Sequence, residues 1–347
     1  MIYVGGVPFS ADSSSSSSQG NNTLVALMEH PILVSASSSF MAIPERKFSV
    51  SEEYGSERTR QSKCVYIFQR EYATVDPALV DLVGTDEATT CVGLVLRNRK
   101  SGMTSVSHMD FPNVVDIGLT QMLSLVVDHD ADTELDVHLI GSFNDALPQH
   151  ADIGTRSESH SKLDRHSFRL CMKIVEILQR RREKFHIQTL HVLGHNTGWN
   201  SEGNAVPVFN GFLVETSTGS IIPASFDRTS RCPDEIVRRI RVMASFGDPS
   251  WKGRLLDTYN THTDQFIIAP CSWTMSLSHS ALALRDLSDS EILLNCSTSP
   301  SAEGPDFVDN ERRIWDYLIQ HPDWRDTFPM KQPHIFARSA DGGWMRQ

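Results

Sequence analysis

No stretch of this 347-residue chain approaches the ~20 consecutive apolar residues that a membrane-spanning helix needs. Cysteine is scarce, six residues with no Cys-x-x-Cys pair. That speaks against a disulfide framework and for reduced thiols in a cytoplasmic or nuclear protein. Basic residues are outnumbered, 32 Lys and Arg against 43 Asp and Glu, for a formal charge of −11. Neither a nucleic acid nor an anionic membrane is therefore an expected partner. The fingerprints His-Glu-x-x-His and Gly-x-Ser-x-Gly, the phosphate loop and the dinucleotide fold motif are all missing, and no cofactor is expected. The start, Met1-Ile2-Tyr3-Val4, has no basic segment ahead of its apolar residues, so no secretory signal is expected either. What is present, 39% hydrophobic and 22% charged residues, suffices for a sizeable core. The length fits one large domain or two of ordinary size.

The pattern divides the chain at residue 63. Residues 1–63 read as an N-terminal segment, with a six-serine run (Ser13 to Ser18) that has nothing apolar to bury and is expected to be disordered. Residues 35–63 are polar and aperiodic, an expected irregular connection. Residues 64–347 read as one catalytic domain. Apolar spacing predicts helices over 112–127, 170–185 and 307–319, and Pro233 opens another. Alternating or β-branched runs predict strands at 65–68, 135–140, 187–193, 206–214, 221–226 and 266–269. Without strict βαβ alternation, these elements predict an α+β fold in layers. The polar stretch 149–164 reads as a surface loop that leaves His160 in solvent, with His166 just beyond it. The runs Arg180-Arg181-Arg182 and Arg238-Arg239 read as solvated helix faces.

The informative stretch is Gly84-Thr85-Asp86-Glu87-Ala88-Thr89-Thr90-Cys91-Val92-Gly93-Leu94-Val95-Leu96, a polar loop running into an apolar strand with cysteine at the junction. The turn residues Arg97 to Gly102 follow, and Met103 to His108 can return as a second strand. A tight turn between Arg99 and Lys100 would set Cys91 directly opposite His108, with Cβ atoms roughly 4.5–5.5 Å apart. A bulge would change that register. A thiol beside an imidazole favours a thiolate–imidazolium pair. The thiolate can attack a carboxamide carbon while the histidine protonates departing ammonia. The backbone N–H of Cys91 is a candidate donor to the oxyanion. The alternative is an ordinary hairpin with a small buried thiol. Cys64, Cys171, Cys232, Cys271 and Cys296 have no histidine at fixed spacing and read as packing residues.

The segment from Gly84 to Cys91 resembles the nucleophile motif of the eukaryotic protein N-terminal asparagine amidohydrolases, in their plant-like form. A second block, Ser297-Thr298-Ser299-Pro300-Ser301-Ala302-Glu303-Gly304-Pro305-Asp306-Phe307-Val308, resembles that family's C-terminal signature. The resemblance spans most of the chain, with no counterpart for the serine-rich start. It implies a layered α-β-β sandwich and release of ammonia from N-terminal asparagine to leave aspartate. It also implies a Cys, His and hydroxyl arrangement falling on Cys91, His108 and Thr85, where some members carry Ser instead of Thr. Bacterial chemotaxis-receptor glutamine deamidases show a similar Thr, Cys, His order, an analogy of chemistry only. The implied partners are proteins or peptides that begin with Asn, met by a monomer, and the implied outcome is degradation signalled by the N-terminus.

A free α-ammonium calls for a carboxylate in the pocket. Glu303, Asp86, Glu87 and Asp110 are the candidates. Aimed at Cys91, Asp86 and Glu87 would raise its pKa, so either they point away or an arriving ammonium neutralises them. Two other functions remain open at this point: a deamidase of internal Gln or Asn side chains, and a non-catalytic binder of protein N-termini.

Overall fold

A computed structural model describes residues 1–10, 19–49, 62–127, 133–145 and 166–347. The serine run, the 149–164 stretch and His160 lie outside the described residues. The strand Val92–Asn98 lies inside an eight-stranded sheet, between Thr104–Met109 and Glu134–Phe143. Its period-two alternation sends side chains to two different cores. Val92, Leu94 and Leu96 join Leu135, Val137 and Leu139 in packing beneath the helices Gln19–Met28, Val115–Leu123 and His166–Arg180. Val95, with Val106 and Ile140 on the neighbouring strands, faces a five-stranded second sheet through Val65, Val83, Phe212 and Val214. Both faces are covered, which is why this strand reads as an almost unbroken apolar run. The result is an α+β fold in α-β-β layers.

Gly93 sets how closely the two sheets approach. A Cβ there would lie 2.1 Å from Phe212 Cε1. Phe212 pairs with Thr85 across the second sheet, so the ring that seats against Gly93 also brings Thr85 over the first sheet.

The residues ahead of 64 do not stand apart from this body. Ile2–Val4 pairs in parallel with Lys184–Leu193 in the first sheet, and Leu24, Leu27 and Leu33 are fully buried in its core. The expected irregular connection over 35–63 is corrected in its described part, residues 35–49. Pro31–Met41 is a helix, and Arg46–Phe48 is an edge strand against Ile221–Phe226. Its serines hid the helix, because the stabilising features are local or tertiary: proline at the start, His30 accepting from Ile32 N–H, and Ser37 hydrogen-bonded to buried His191. The predicted helix over 170–185 ends at Arg180, because Phe185 belongs to a core-facing strand position.

A third sheet and the helices Glu235–Ser245, Met275–Arg285, Asp289–Cys296 and Phe307–Gln320 surround a separate apolar cluster that includes Ile240, Trp273, Ile314 and Trp315. Arg238 ties this part to the first sheet and is no solvated helix face. It and Glu71 are both fully buried, joined at 3.1 Å through Nε and 2.5 Å through Nη2. Arg238 Nη2 also donates to the carbonyl of Tyr66, and Phe68 N–H donates to Glu71. Burial alone would raise the Glu71 carboxyl, but Arg238 and the Phe68 N–H bring it below its ordinary value. Glu71→Ala leaves a guanidinium buried without its carboxylate and is expected to destabilise the fold by about 3–5 kcal/mol. The check is a urea midpoint that falls with no change in slope.

Candidate active site

The hairpin that carries Cys91 and His108 closes differently from expectation. Asn98 Oδ1 accepts the N–H groups of Lys100 and Ser101, Gly102 takes φ +75°, and Asn98 N–H donates to the carbonyl of Met103. This longer loop shifts the register by two, so His108 pairs with Gly93 and Val92 with Met109. Cys91 therefore sits one step beyond the end of the ladder, diagonal to His108. A shift of two, unlike a shift of one, keeps every side chain on its original face. Cys91 and His108 both line a cavity of about 1140 Å³ at the end of the inter-sheet space.

His108 is fixed from the second sheet. Thr85 Oγ1 lies 2.8 Å from His108 Nδ1 and 2.8 Å from the carbonyl oxygen of Ile67. The hydroxyl has one proton, and the Ile67 carbonyl can only accept, so Thr85 donates there and accepts from Nδ1–H. That choice places the second nitrogen, Nε2, as the basic position of the neutral ring. Nε2 is buried and has no partner among the described residues.

The electrostatics differ from the expected ion pair. Burial, then the carboxylates of Asp110 and Glu303, push the Cys91 thiol far above the ordinary cysteine range. Burial also lowers His108 to about 4, against the pull of Glu87 and Glu71. At neutral pH the resting pair is therefore thiol and neutral imidazole. The cause is dehydration of both groups inside the sandwich, which spacing in the sequence does not reveal.

The four candidate carboxylates separate into different roles. Asp86 Oδ1 accepts from Tyr66 Oη at 2.6 Å, and Oδ2 accepts from Phe226 N–H at 2.8 Å and Arg231 at 2.9 Å. Its lone pairs are committed to holding the motif loop, so it is not a free anchor for a ligand. Glu87, at φ +62°, takes both terminal nitrogens of Arg239, at 3.0 and 2.9 Å, and one from Arg231 at 2.9 Å. Burial works against its charge, but Arg239 and Arg231 hold it well below the usual carboxylate range. Asp110 is 1% exposed and bound through Oδ2 to Arg70 Nε at 3.0 Å. Glu303 lines the cavity, with the Ser297 hydroxyl donating to it, and burial pushes its carboxyl up to about 7. It alone of the four is half-buried, on the cavity wall and without a cationic partner among the described residues.

Glu311, on the helix Phe307–Gln320, is a cavity residue the sequence did not single out. Burial pushes it to about 7 as well. Arg70, Arg231 and Arg239 were also missed. Arg239 stood in a run that reads as surface, and only the fold brings it to Glu87. His166, for its part, donates from Nε2 to the carbonyl of Asp110 at 2.6 Å rather than facing solvent. The six cysteines are free thiols, and Cys296 joins Cys91 on the cavity wall.

A hydroxyl-oriented imidazole, a thiol and half-buried carboxylates around one cavity suit hydrolysis of an amide. Comparison with known proteins gives the same class: the chain is an amidohydrolase, a hydrolase acting on a linear amide. A family model described as Protein N-terminal asparagine amidohydrolase matches residues 54–346. A relative of that name from Arabidopsis thaliana is 60% identical over 351 residues, covering 100% of both chains. Relatives of the same name from Sus scrofa and Homo sapiens are each 31% identical over 287 residues, 81% of this chain and 82% and 83% of theirs. The chain belongs to the protein N-terminal asparagine amidohydrolase family.

Proposed function

We propose that this protein hydrolyses the side-chain carboxamide of an N-terminal asparagine in proteins or peptides, giving aspartate and ammonia through a thioester on Cys91. His108 Nε2 takes the thiol proton as Sγ attacks the carboxamide carbon. The oxyanion receives the backbone N–H of Cys91. His108 returns the proton to the departing nitrogen, the C–N bond breaks and ammonia leaves. His108 then takes a proton from water, which attacks the thioester, and the expelled sulfur recovers the proton. Each step uses only residues of this chain and water. The product aspartate would feed an N-terminus-dependent degradation route in the cytoplasm or nucleus. What carries the reading is a single observation: Cys91, His108 and Glu303 line one cavity. Mass spectrometry of peptides beginning with Asn, Gln or acetylated Asn tests it. A gain of about one dalton, the mass change on replacing an amide by an acid, is expected for the free Asn peptide. Equal conversion of free and acetylated peptides would contradict ammonium anchoring and favour deamidation of internal residues.

Glu303 in the role of ammonium anchor has a pH signature. Its carboxyl, raised to about 7, carries charge only above that pH, while a peptide α-ammonium keeps its proton only below ~7.7–8.0. The expected kcat/KM therefore rises through pH 7 and falls beyond about pH 8. Glu303→Gln should raise KM, lower turnover and remove the dependence near pH 7, without blocking alkylation of Cys91. An unchanged profile in that variant would assign the anchor elsewhere.

A further inference from the structure

One buried carboxylate beside the thiol has no part in those steps. Asp110 is 1% exposed, and its Oδ1 has no partner among the described residues. Its Oδ2 is held by Arg70 Nε at 3.0 Å and approached at 3.4 Å by Gln69 Nε2, from a residue on the cavity wall. Cys91 and Asp110 each stand one step beyond the last ladder pair, Val92 with Met109, and the Asp110 carboxylate lies near enough to help raise the Cys91 thiol.

Arg70 is unusually constrained to hold this carboxylate. Its backbone is left-handed at φ +64°, a conformation non-glycine residues adopt under compulsion from their surroundings. Its N–H donates to the carbonyl of His108 at 2.8 Å, its guanidinium donates to Ser245, and it lies 3.9 Å from the centre of the Phe246 ring. The cation satisfies one carboxylate oxygen and leaves the other empty. A buried acceptor without a donor is unfavourable, and a carboxylate beside a nucleophilic thiol opposes thiolate formation. Both penalties are relieved if the missing donor arrives with the substrate.

On the reading that N-terminal asparagine is the substrate, we propose that Asp110 Oδ1 accepts an N–H of its side-chain carboxamide, positioning the amide at Cys91 and selecting amide over acid. The α-ammonium remains with Glu303. When the C–N bond breaks, that N–H donor departs with the ammonia. After hydrolysis the new aspartate carboxylate faces Asp110 with like charge, which weakens product binding. A site that hydrogen-bonds a polar group discriminates strongly against an analogue lacking it.

The test uses the full-length Cys91→Ser protein and two peptides identical but for N-terminal Asn or Asp, with affinities measured by calorimetry. The Asn peptide is expected to bind at least about tenfold more tightly, because like charges meet only in the other complex. Adding Asp110→Asn should weaken the Asn peptide, strengthen the Asp peptide and shrink their ratio by about tenfold or more. A residue that merely supports the fold, or that holds the ammonium, would weaken both alike, and that result overturns the proposal. Should the double variant not fold, a ratio near one in Cys91→Ser alone overturns it. Failure of Cys91→Ser to bind either peptide would instead remove the deamidase reading.

Discussion

Cys91→Ser is expected to lose ammonia release by at least about 10⁴-fold, the scale seen when a nucleophile is removed from a site whose parts act as a unit. The fold should be retained. The residue is small, 9% exposed, and stands at a loop–strand junction rather than inside either core. No other cysteine is placed to substitute. Cys171 and Cys271 are buried in apolar surroundings, Cys64 and Cys232 do not line the cavity, and Cys296, though on it, closes the helix Asp289–Cys296 rather than standing at the loop–strand junction. Because burial and two carboxylates hold the Cys91 thiol protonated, its alkylation in the resting protein should be slow at neutral pH and accelerate into the alkaline range. Turnover by the serine variant near that of the unaltered protein would end the assignment of Cys91.

His108→Ala is expected to lower turnover by roughly 10²–10⁴-fold, the usual contribution of a general acid–base. The same group serves four transfers: from the thiol, to the leaving nitrogen, from the attacking water, and back to the expelled sulfur. Thr85 should matter less but in a diagnostic way. Thr85→Val leaves the His108 Nδ1–H without its acceptor and frees the ring to adopt the other tautomer, for a loss on the order of 10–100-fold by analogy with other positioning hydrogen bonds. Thr85→Ser keeps the hydroxyl and should keep the activity. Steady-state kcat for the three proteins decides it. A valine variant as active as the serine variant would mean that Thr85 does not orient the imidazole.

Much of this arrangement was legible before any coordinates, and the boundary has physical causes. The apolar strand at 92–98, the return strand to His108 and the strand at Ile221–Phe226 follow from local sequence pattern. That Cys91 and His108 share a face was readable too, because an error of two in register preserves parity. The register itself was not, since it turns on Asn98 accepting two N–H groups of its own loop. Long-range charge pairing was also invisible. Arg231 reaches Asp86 across 145 positions and Arg238 reaches Glu71 across 167, and a sequence shows such residues only as unassigned charges. The protonation state of the Cys91–His108 pair depends on burial by two sheets, a tertiary quantity that reversed the expected ion pair. Glu311 escaped notice for the same reason: a helix position acquires a role only when its cavity exists.

The central claim is a thioester on Cys91, and hydroxylamine reports on it directly. The measurement is the product distribution, by mass spectrometry, when an Asn-starting peptide is turned over in rising hydroxylamine. A thioester partitions between water and the added nucleophile, so the β-hydroxamate of N-terminal aspartate should grow at the expense of aspartate, and neither should form with Cys91→Ser. Aspartate as the sole product at every hydroxylamine concentration would contradict the covalent route and leave direct attack by water in its place.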